Sequence, residues 1–198
     1  MTDSDHELMR RCRQGDSAAF DMLVRRWEAP VNRILVRLAG SHVEPGGSNL
    51  VSARTDVDDL SQEVFVRVLS ARHRYRNTYA FSTWLYRIVL NVTRDAARRR
   101  QARGKLLNNH RPVTAAETPP EAASRQEVDQ QIAEAVSALP GDLREPLVLR
   151  HFGELPFAEV ARVTGVPLGT VKSRVRTALL KLRAELKNRG IDERELEP

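Results

Sequence analysis

Trp84, Arg87, Asn91, Arg94 and Arg98 recur at i, i+3, i+7, i+10 and i+14, which places them on one side of a helix. That side carries one indole, one carboxamide and three guanidinium groups. Guanidinium forks suit phosphates, amides suit base edges and aromatic rings suit unstacked bases, so this is the composition of a surface that grips opened nucleic acid. Just upstream, RHRYRNTYAF at 72–81 interleaves three arginines with Tyr75, Tyr79 and Phe81. Six of the ten aromatics lie between Phe65 and Tyr86. The plainer reading is that Phe81 and Trp84 close a hydrophobic core, the commoner fate of a lone Trp. Leu85, Ile88, Val89, Val92 and Ala96 form the stripe such a core would bury.

A second basic surface lies near the C-terminus. PFAEVARVTGVPLGTVKSRVRTALLKLR, at 156–183, reads as helix, short turn at Gly165, and helix, the order of a helix-turn-helix. Val171, Val175, Ala178, Leu179, Leu182 and Leu186 make the apolar stripe of the last helix. Thr170, Ser173, Arg176 and Thr177 project the other way, with Lys172 and Arg174 on the flanks. Side chains at the start of such a helix enter the major groove, where Arg bonds guanine bidentately and flanking cations hold phosphates. The alternative is a solvated helix face. Leu180 also projects outward, with no role that the pattern assigns.

A third face is acidic. In the helix from about Asp56 to Leu69, Val57, Leu60, Val64 and Val68 form the core side. Opposite lie Asp59, Gln62, Glu63 and Val66, a polar face with an apolar residue in its middle, which suits a protein partner better than water. The competing account makes Asp56 the N-cap and leaves Asp58 and Asp59 to complement the helix dipole. It explains the acids but not Val66. A catalytic carboxylate pair is a poor third reading, since neighbours on a helix point about 100° apart.

The elements that position these faces are helical throughout, so the expected class is all-α, with two small helical domains. Asp16 after Gly15 is a helix N-cap, and behind it Phe20, Leu23, Val24, Trp27, Val31, Ile34, Leu35 and Leu38 keep an apolar stripe through Pro30, where a kink is expected. Cys12, four residues after Leu8, belongs to the core. Residues 40–55 hold three of the ten glycines and a proline, which marks a loop. Helices resume at about Asp56–Leu69 and Ser82–Arg100. Periodicity fades over 101–126, around Pro112, Pro119 and Pro120, as in a linker. A flexible chain of that length spans roughly 30 Å r.m.s. and at most roughly 85 Å. Further helices are expected at Glu127–Leu139, Leu143–Phe152, Pro156–Val163 and Leu168–Leu186. The domains are therefore 1–100 and 127–190, with 191–198 an acidic tail.

Charge follows this organisation. The chain of 198 residues has a formal net charge of +6 and a pI near 10.1. Residues 126–160 hold seven acids against Arg144 and Arg150, whereas 161–190 hold eight basic residues against Glu185 alone. A basic block inside a helical pattern points to a docking face for a polyanion. Enzyme chemistry finds little support: the five histidines are scattered, Cys12 is alone, and no HExxH, Cys-rich zinc spacing or GxxxxGK[ST] loop occurs. No metal and no cofactor is expected. With no long apolar run and no signal-like start, the expectation is a cytoplasmic chain without membrane insertion.

Two segments also resemble a known family. DVDDLSQEVFVRVL with YAFSTWLYRIVLNVTRDAARRR is similar to region 2, and LPGDLREPLVLRHFGELPFAEVARVTGVPLGTVKSRV to region 4, of the extracytoplasmic-function (ECF) sigma factors of bacterial RNA polymerase. The resemblance implies that Asp58, Asp59, Gln62, Glu63 and Arg67 bind core polymerase, and it supplies a reason for the exposed Val66. It implies that Asn77, Phe81, Trp84, Arg87 and Asn91 melt and read the −10 element, with Arg94 and Arg98 continuing that stripe. It implies that Thr170, Lys172, Ser173, Arg174, Arg176 and Thr177 read the −35 element. After KSR this chain has Val175-Arg176-Thr177-Ala178, where the family often has an apolar residue followed by His-Arg-Ala-Arg, so base preferences do not transfer. Partners implied are core RNA polymerase, promoter DNA and an anti-sigma factor. A stand-alone helix-turn-helix regulator is the rival, and it leaves the acidic and aromatic faces without a purpose.

Overall fold

The computed structural model describes residues 3–39, 50–106 and 125–189, and all regular structure among them is helical. α1 (Asp5–Arg13) and α2 (Ser17–Ala39) are joined by a tight turn at Gly15, whose φ of 94° favours glycine. Asp16 caps α2 by accepting the Ala19 N–H at 3.1 Å. α2 passes through Pro30 without ending. α3 (Leu50–Ala71) leads through a short 3-10 turn at Arg72–Arg74 into α4 (Phe81–Leu106). The second half holds α5 (Arg125–Ser137), α6 (Gly141–His151), α7 (Phe157–Thr164) and α8 (Leu168–Asn188).

Several boundaries differ from the periodicity reading. α3 starts at Leu50, so part of the expected loop is helical and Asp56 lies in the second turn rather than at the cap. Its carboxylate accepts from Arg100 at 3.1 Å instead, which removes the capping explanation for the acidic face. α4 continues six residues past Arg100, to Leu106. Loop residues 40–49, linker residues 107–124 and the tail 191–198 lie outside the described residues. Among the described residues, no helix is long and apolar enough to cross a membrane.

The buried stripes meet as the pattern requires. Leu8, Met9 and Cys12 of α1 pack with Leu23, Ile34 and Leu35 of α2, Leu60, Val64 and Val68 of α3, and Leu85, Val89 and Val92 of α4. In the second half, Leu147 and Leu149 meet Val160 and Val163, and Val171, Val175 and Ala178 close the helix-turn-helix. The two halves share one continuous core cluster. On α8, Leu179 departs from expectation: it is 40 % exposed, beside Leu180 at 60 %. The seam of that helix follows Val171, Val175, Ala178, Leu182 and Leu186, and one residue beyond Ala178 rotates Leu179 out of it.

Candidate nucleic-acid interfaces and a docking groove

The turn between α7 and α8 is set by Gly165, whose φ of 76° gives a left-handed cap, with its N–H donated to Ala161 O at 2.9 Å. Pro167 then opens α8. Lys172, Ser173, Arg176 and Thr177 are exposed on the first turns of α8, while Thr170 and Arg174 are half-buried. Ser173 donates its hydroxyl to Thr170 O at 3.0 Å, so its lone pairs face outward. Arg174 lies 4.0 Å from Asp142 of α6 and is held on the flank.

On α4, Arg87, Asn91, Arg94 and Arg98 are exposed along one line, as the spacing requires. Trp84 is half-buried at the head of that line, its ring 5.1 Å from Tyr75 and 5.8 Å from Phe81. Phe81 is only 4 % exposed and packs 5.5 Å from Trp27, 5.9 Å from Tyr75 and 5.8 Å from Trp84, so three rings close around it and the structure places it in the core rather than on the exposed line of α4 expected to meet DNA. Its contribution is to hold Trp84 in position. Tyr75 is buried as well, and burial, with Asp5 nearby, pushes its hydroxyl up to about 12. That hydroxyl is hydrogen-bonded to His6. Asn77 stands exposed in the turn before α4.

α3 and α2 together form a groove of about 590 Å³. Asp58, Gln62 and Val66 line it, joined by Phe65 and Leu69 of α3 and by Phe20, Val24, Glu28 and Asn32 of α2. Val66 is 62 % exposed. The side-chain carbonyl oxygen of Asn32 is buried beneath the groove without a hydrogen-bond partner. The α2 contribution was not apparent from the sequence, where Phe20 and Val24 count as core; the one signal was a polar Asn32 inside an apolar stripe. Asp59 is exposed but does not line the groove.

Glu63 and Arg67 turn away from the groove and tie α3 to α4. Arg67 reaches Glu63 at 2.6 Å and Asp95 at 2.8 Å, and Arg99 reaches Glu63 at 2.9 Å. Asp95 also pairs with Arg98. Hydrogen bonds from Arg99 hold the Glu63 carboxyl, and those from Arg98 and Arg67 the Asp95 carboxyl, below their ordinary values. Because the folded pKa is the lower one, this stabilisation is present above the unfolded value of 4.5 for Glu63 and is lost as pH falls through the folded value. Each partly exposed pair contributes about 0–1 kcal/mol. Glu63→Gln therefore lowers Tm at pH 7, and the loss shrinks as pH falls below 4.5, as thermal melts of both chains across that range will register; a loss that does not change with pH would mean that packing rather than charge is at stake.

Residues 23–103 match the family model for Sigma-70 region 2, and residues 129–182 match that for Sigma-70, region 4. The chain belongs to the sigma-70 family. The region 2 match takes in the groove, all but Phe20, and the α4 stripe, and the region 4 match takes in α7 and most of α8. This sigma factor is 29 % identical over 183 residues to the RNA polymerase sigma-H factor of Pseudomonas aeruginosa, covering 87 % of the chain and 89 % of that protein. It is 29 % identical over 182 residues to the ECF RNA polymerase sigma-E factor of Escherichia coli K12, covering 87 % and 88 %. Among solved structures it is similar to a chain in the complex of CnrH with the cytosolic domain of CnrY, at 25 % identity and a TM-score of 0.63 over 94 % of this chain and 99 % of that one. It shares its fold with a chain in the complex of sigma factor RpoE with anti-sigma factor NepR from Bartonella quintana, at a TM-score of 0.64 and 18 % identity over 84 % and 95 %. The family is one of transcription initiation factors, and the ECF class of its relatives agrees with the two sequence motifs.

Proposed function

We propose that this sigma factor docks on core RNA polymerase through the α2–α3 groove, opens and reads the −10 element along α4, and reads the −35 element with α8. The observation that carries the reading is the coexistence in one chain of an acidic apolar groove and two separate basic faces, which a stand-alone regulator does not need. The groove's chemistry, apolar at Val24, Phe65, Val66 and Leu69 and acidic at Glu28 and Asp58, fits a helix bearing apolar and basic side chains. On α4, Trp84 offers a stacking face while Arg87, Asn91, Arg94 and Arg98 offer phosphate and base-edge donors, and Asn77 is exposed in the turn before them. Flipping a base costs a few kcal/mol, which stacking and hydrogen bonds in such a site offset without nucleotide hydrolysis. The helical halves, α1–α4 and α5–α8, then act as two modules, and 107–124 as the tether that lets two weak contacts become selective together. A cytoplasmic location follows from the polymerase partner. The likeness to CnrH, solved with the cytosolic domain of CnrY, and the fold shared with RpoE, solved with the anti-sigma factor NepR, support a protein regulator of the anti-sigma kind.

In vitro transcription with core polymerase tests this. Initiation on a template carrying −35 and −10 elements is expected only when the protein is added. In the same assay and in duplex binding, Arg176→Ala should reduce discrimination among −35 variants by about 1–3 kcal/mol, the worth of a bidentate base contact. Initiation that does not depend on the protein, across a panel of promoters, sinks the proposal. An unchanged −35 preference removes Arg176 from base reading.

A further inference from the structure

The turn between α3 and α4 presents Asn77 and leads into the Trp84 face. Of residues 73–80, only Tyr75 is buried, and those on either side of it are exposed. The backbone bonds of the turn are local, from Tyr75 N–H to Arg72 O at 3.3 Å and from Thr78 N–H to Arg76 O at 2.8 Å, so they shape the turn without fixing it to α1 or α2. Tyr75 is therefore its anchor on the first half of the chain, and whatever orients that ring orients the turn. The ring meets Trp84 edge-on at 5.1 Å and Phe81 at 5.9 Å. Its hydroxyl is hydrogen-bonded to His6 Nδ1, 69 residues away, and the two rings stack with centroids 5.9 Å apart. Burial, with Asp5 nearby, keeps the phenol protonated far above neutral pH, so it has a proton to donate to Nδ1.

His6 stands on a fixed support. Ser4 caps α1 by accepting the Glu7 N–H at 3.3 Å, Asp5 pairs with Arg26 of α2 at 2.6 Å, and Arg26 also donates to the Asp3 carbonyl at 2.9 Å. Leu8 and Met9, the next residues but one and two, are fully buried. An aromatic ring held by packing alone can slide along its neighbours, whereas a hydrogen bond at the para oxygen sets its direction as well. A buried hydroxyl with its partner adds little net stability over a phenyl ring, since the bond mainly offsets desolvation. What the His6–Tyr75 pair supplies beyond burial is position.

We propose that His6 is a positioning residue for −10 reading: held on α1, its Nδ1 fixes the Tyr75 hydroxyl, and through that ring it sets the pose of Trp84 and of the turn that presents Asn77. The inference rests on the −10 assignment of that turn and of α4. A site that stacks and hydrogen-bonds an unpaired base works only when its groups are preset to within a fraction of an ångström, and a supporting hydrogen bond from a rigid helix provides that setting. His6 itself need not touch DNA.

The test uses holoenzyme assembled from core polymerase and the full chain, with 2-aminopurine fluorescence in the −10 element of a promoter reporting strand opening. Tyr75→Phe, which keeps the ring and removes only the hydroxyl, and His6→Leu should each lower the opening equilibrium about fivefold, the worth of one neutral hydrogen bond. The two changes together should cost no more than either alone, because they remove the same bond. His6→Asn, whose amide places an acceptor where Nδ1 stands, should restore opening to within about twofold of the unaltered chain. Core assembly by co-elution and −35 duplex binding by the free chain should stay within about twofold in all four variants, which a general loss of structure would not allow. Full opening by Tyr75→Phe, additive losses in the double variant, failure of His6→Asn to restore opening, or an equal loss of assembly and −35 binding overturns the positioning role. If the unaltered holoenzyme opens no promoter, the −10 assignment itself has failed, and the inference with it.

Discussion

Val66→Arg abolishes assembly with core polymerase while leaving the chain folded. Val66 is 62 % exposed in the middle of a groove otherwise walled by Phe20, Val24, Phe65 and Leu69. An exposed valine in that setting makes no contribution to the fold that a larger side chain would remove, so stability should move by no more than about 0.5 kcal/mol. On the docking surface proposed above, the same position would lie in a desolvated patch. A guanidinium there leaves a charge unpaired in the interface and repels the basic partner that Glu28 and Asp58 are placed to attract. Central interface positions cost about 2 kcal/mol or more when disrupted, equivalent to at least roughly thirtyfold in affinity. Co-elution with core polymerase and a thermal melt measure the two quantities. Asp59→Arg, exposed but outside the groove, should lose less, and normal co-elution of the Val66 variant would move the docking surface elsewhere.

Phe81→Ala has the other large effect, and here two readings of one residue diverge. As a DNA-reading side chain, Phe81 could be truncated at little expense to the fold. As the structure has it, Phe81 packs against Trp27, Tyr75 and Trp84 and is almost fully covered. Removing a buried phenyl ring costs about 3–5 kcal/mol, a large part of the stability of a small protein. For a chain of this size that lowers Tm by roughly 6–20 °C. Promoter opening should then fail even at temperatures where the chain remains folded, because Trp84 loses the ring it leans on. A chain that melts normally and loses only −10 binding would return Phe81 to the DNA surface.

Much of this molecule was legible from residue periodicity. The stripes Leu60–Val64–Val68 and Leu85–Val89–Val92 are buried because a helix repeats every 3.6 residues, and apolar side chains at that spacing have one way to leave water. The same arithmetic placed Arg87, Asn91, Arg94 and Arg98 on one exposed line and set Arg176 opposite Val175 and Ala178. Gly165 needed a left-handed turn, and the helix-turn-helix followed from it. Where periodicity misled, the cause was a neighbour. Leu179 sits at the edge of its stripe, and the width of the facing helices decides whether an edge residue is covered.

What the sequence by itself determined, then, is the angular position of each side chain about its own helix axis, and with it the all-helical class and the composition of the acidic, aromatic and basic faces. Only the tertiary structure decided what stands across from each face. It turned Glu63 and Arg67 inward to Asp95 and Arg99, buried Phe81 under Trp27, drew α2 into the wall of the docking groove, and set Glu145 against Arg94. The reason is physical: angle on a helix is local and follows from backbone geometry, whereas occupancy of a face depends on residues distant in sequence, 51 positions apart in the case of Arg94 and Glu145, whose meeting no local spacing records.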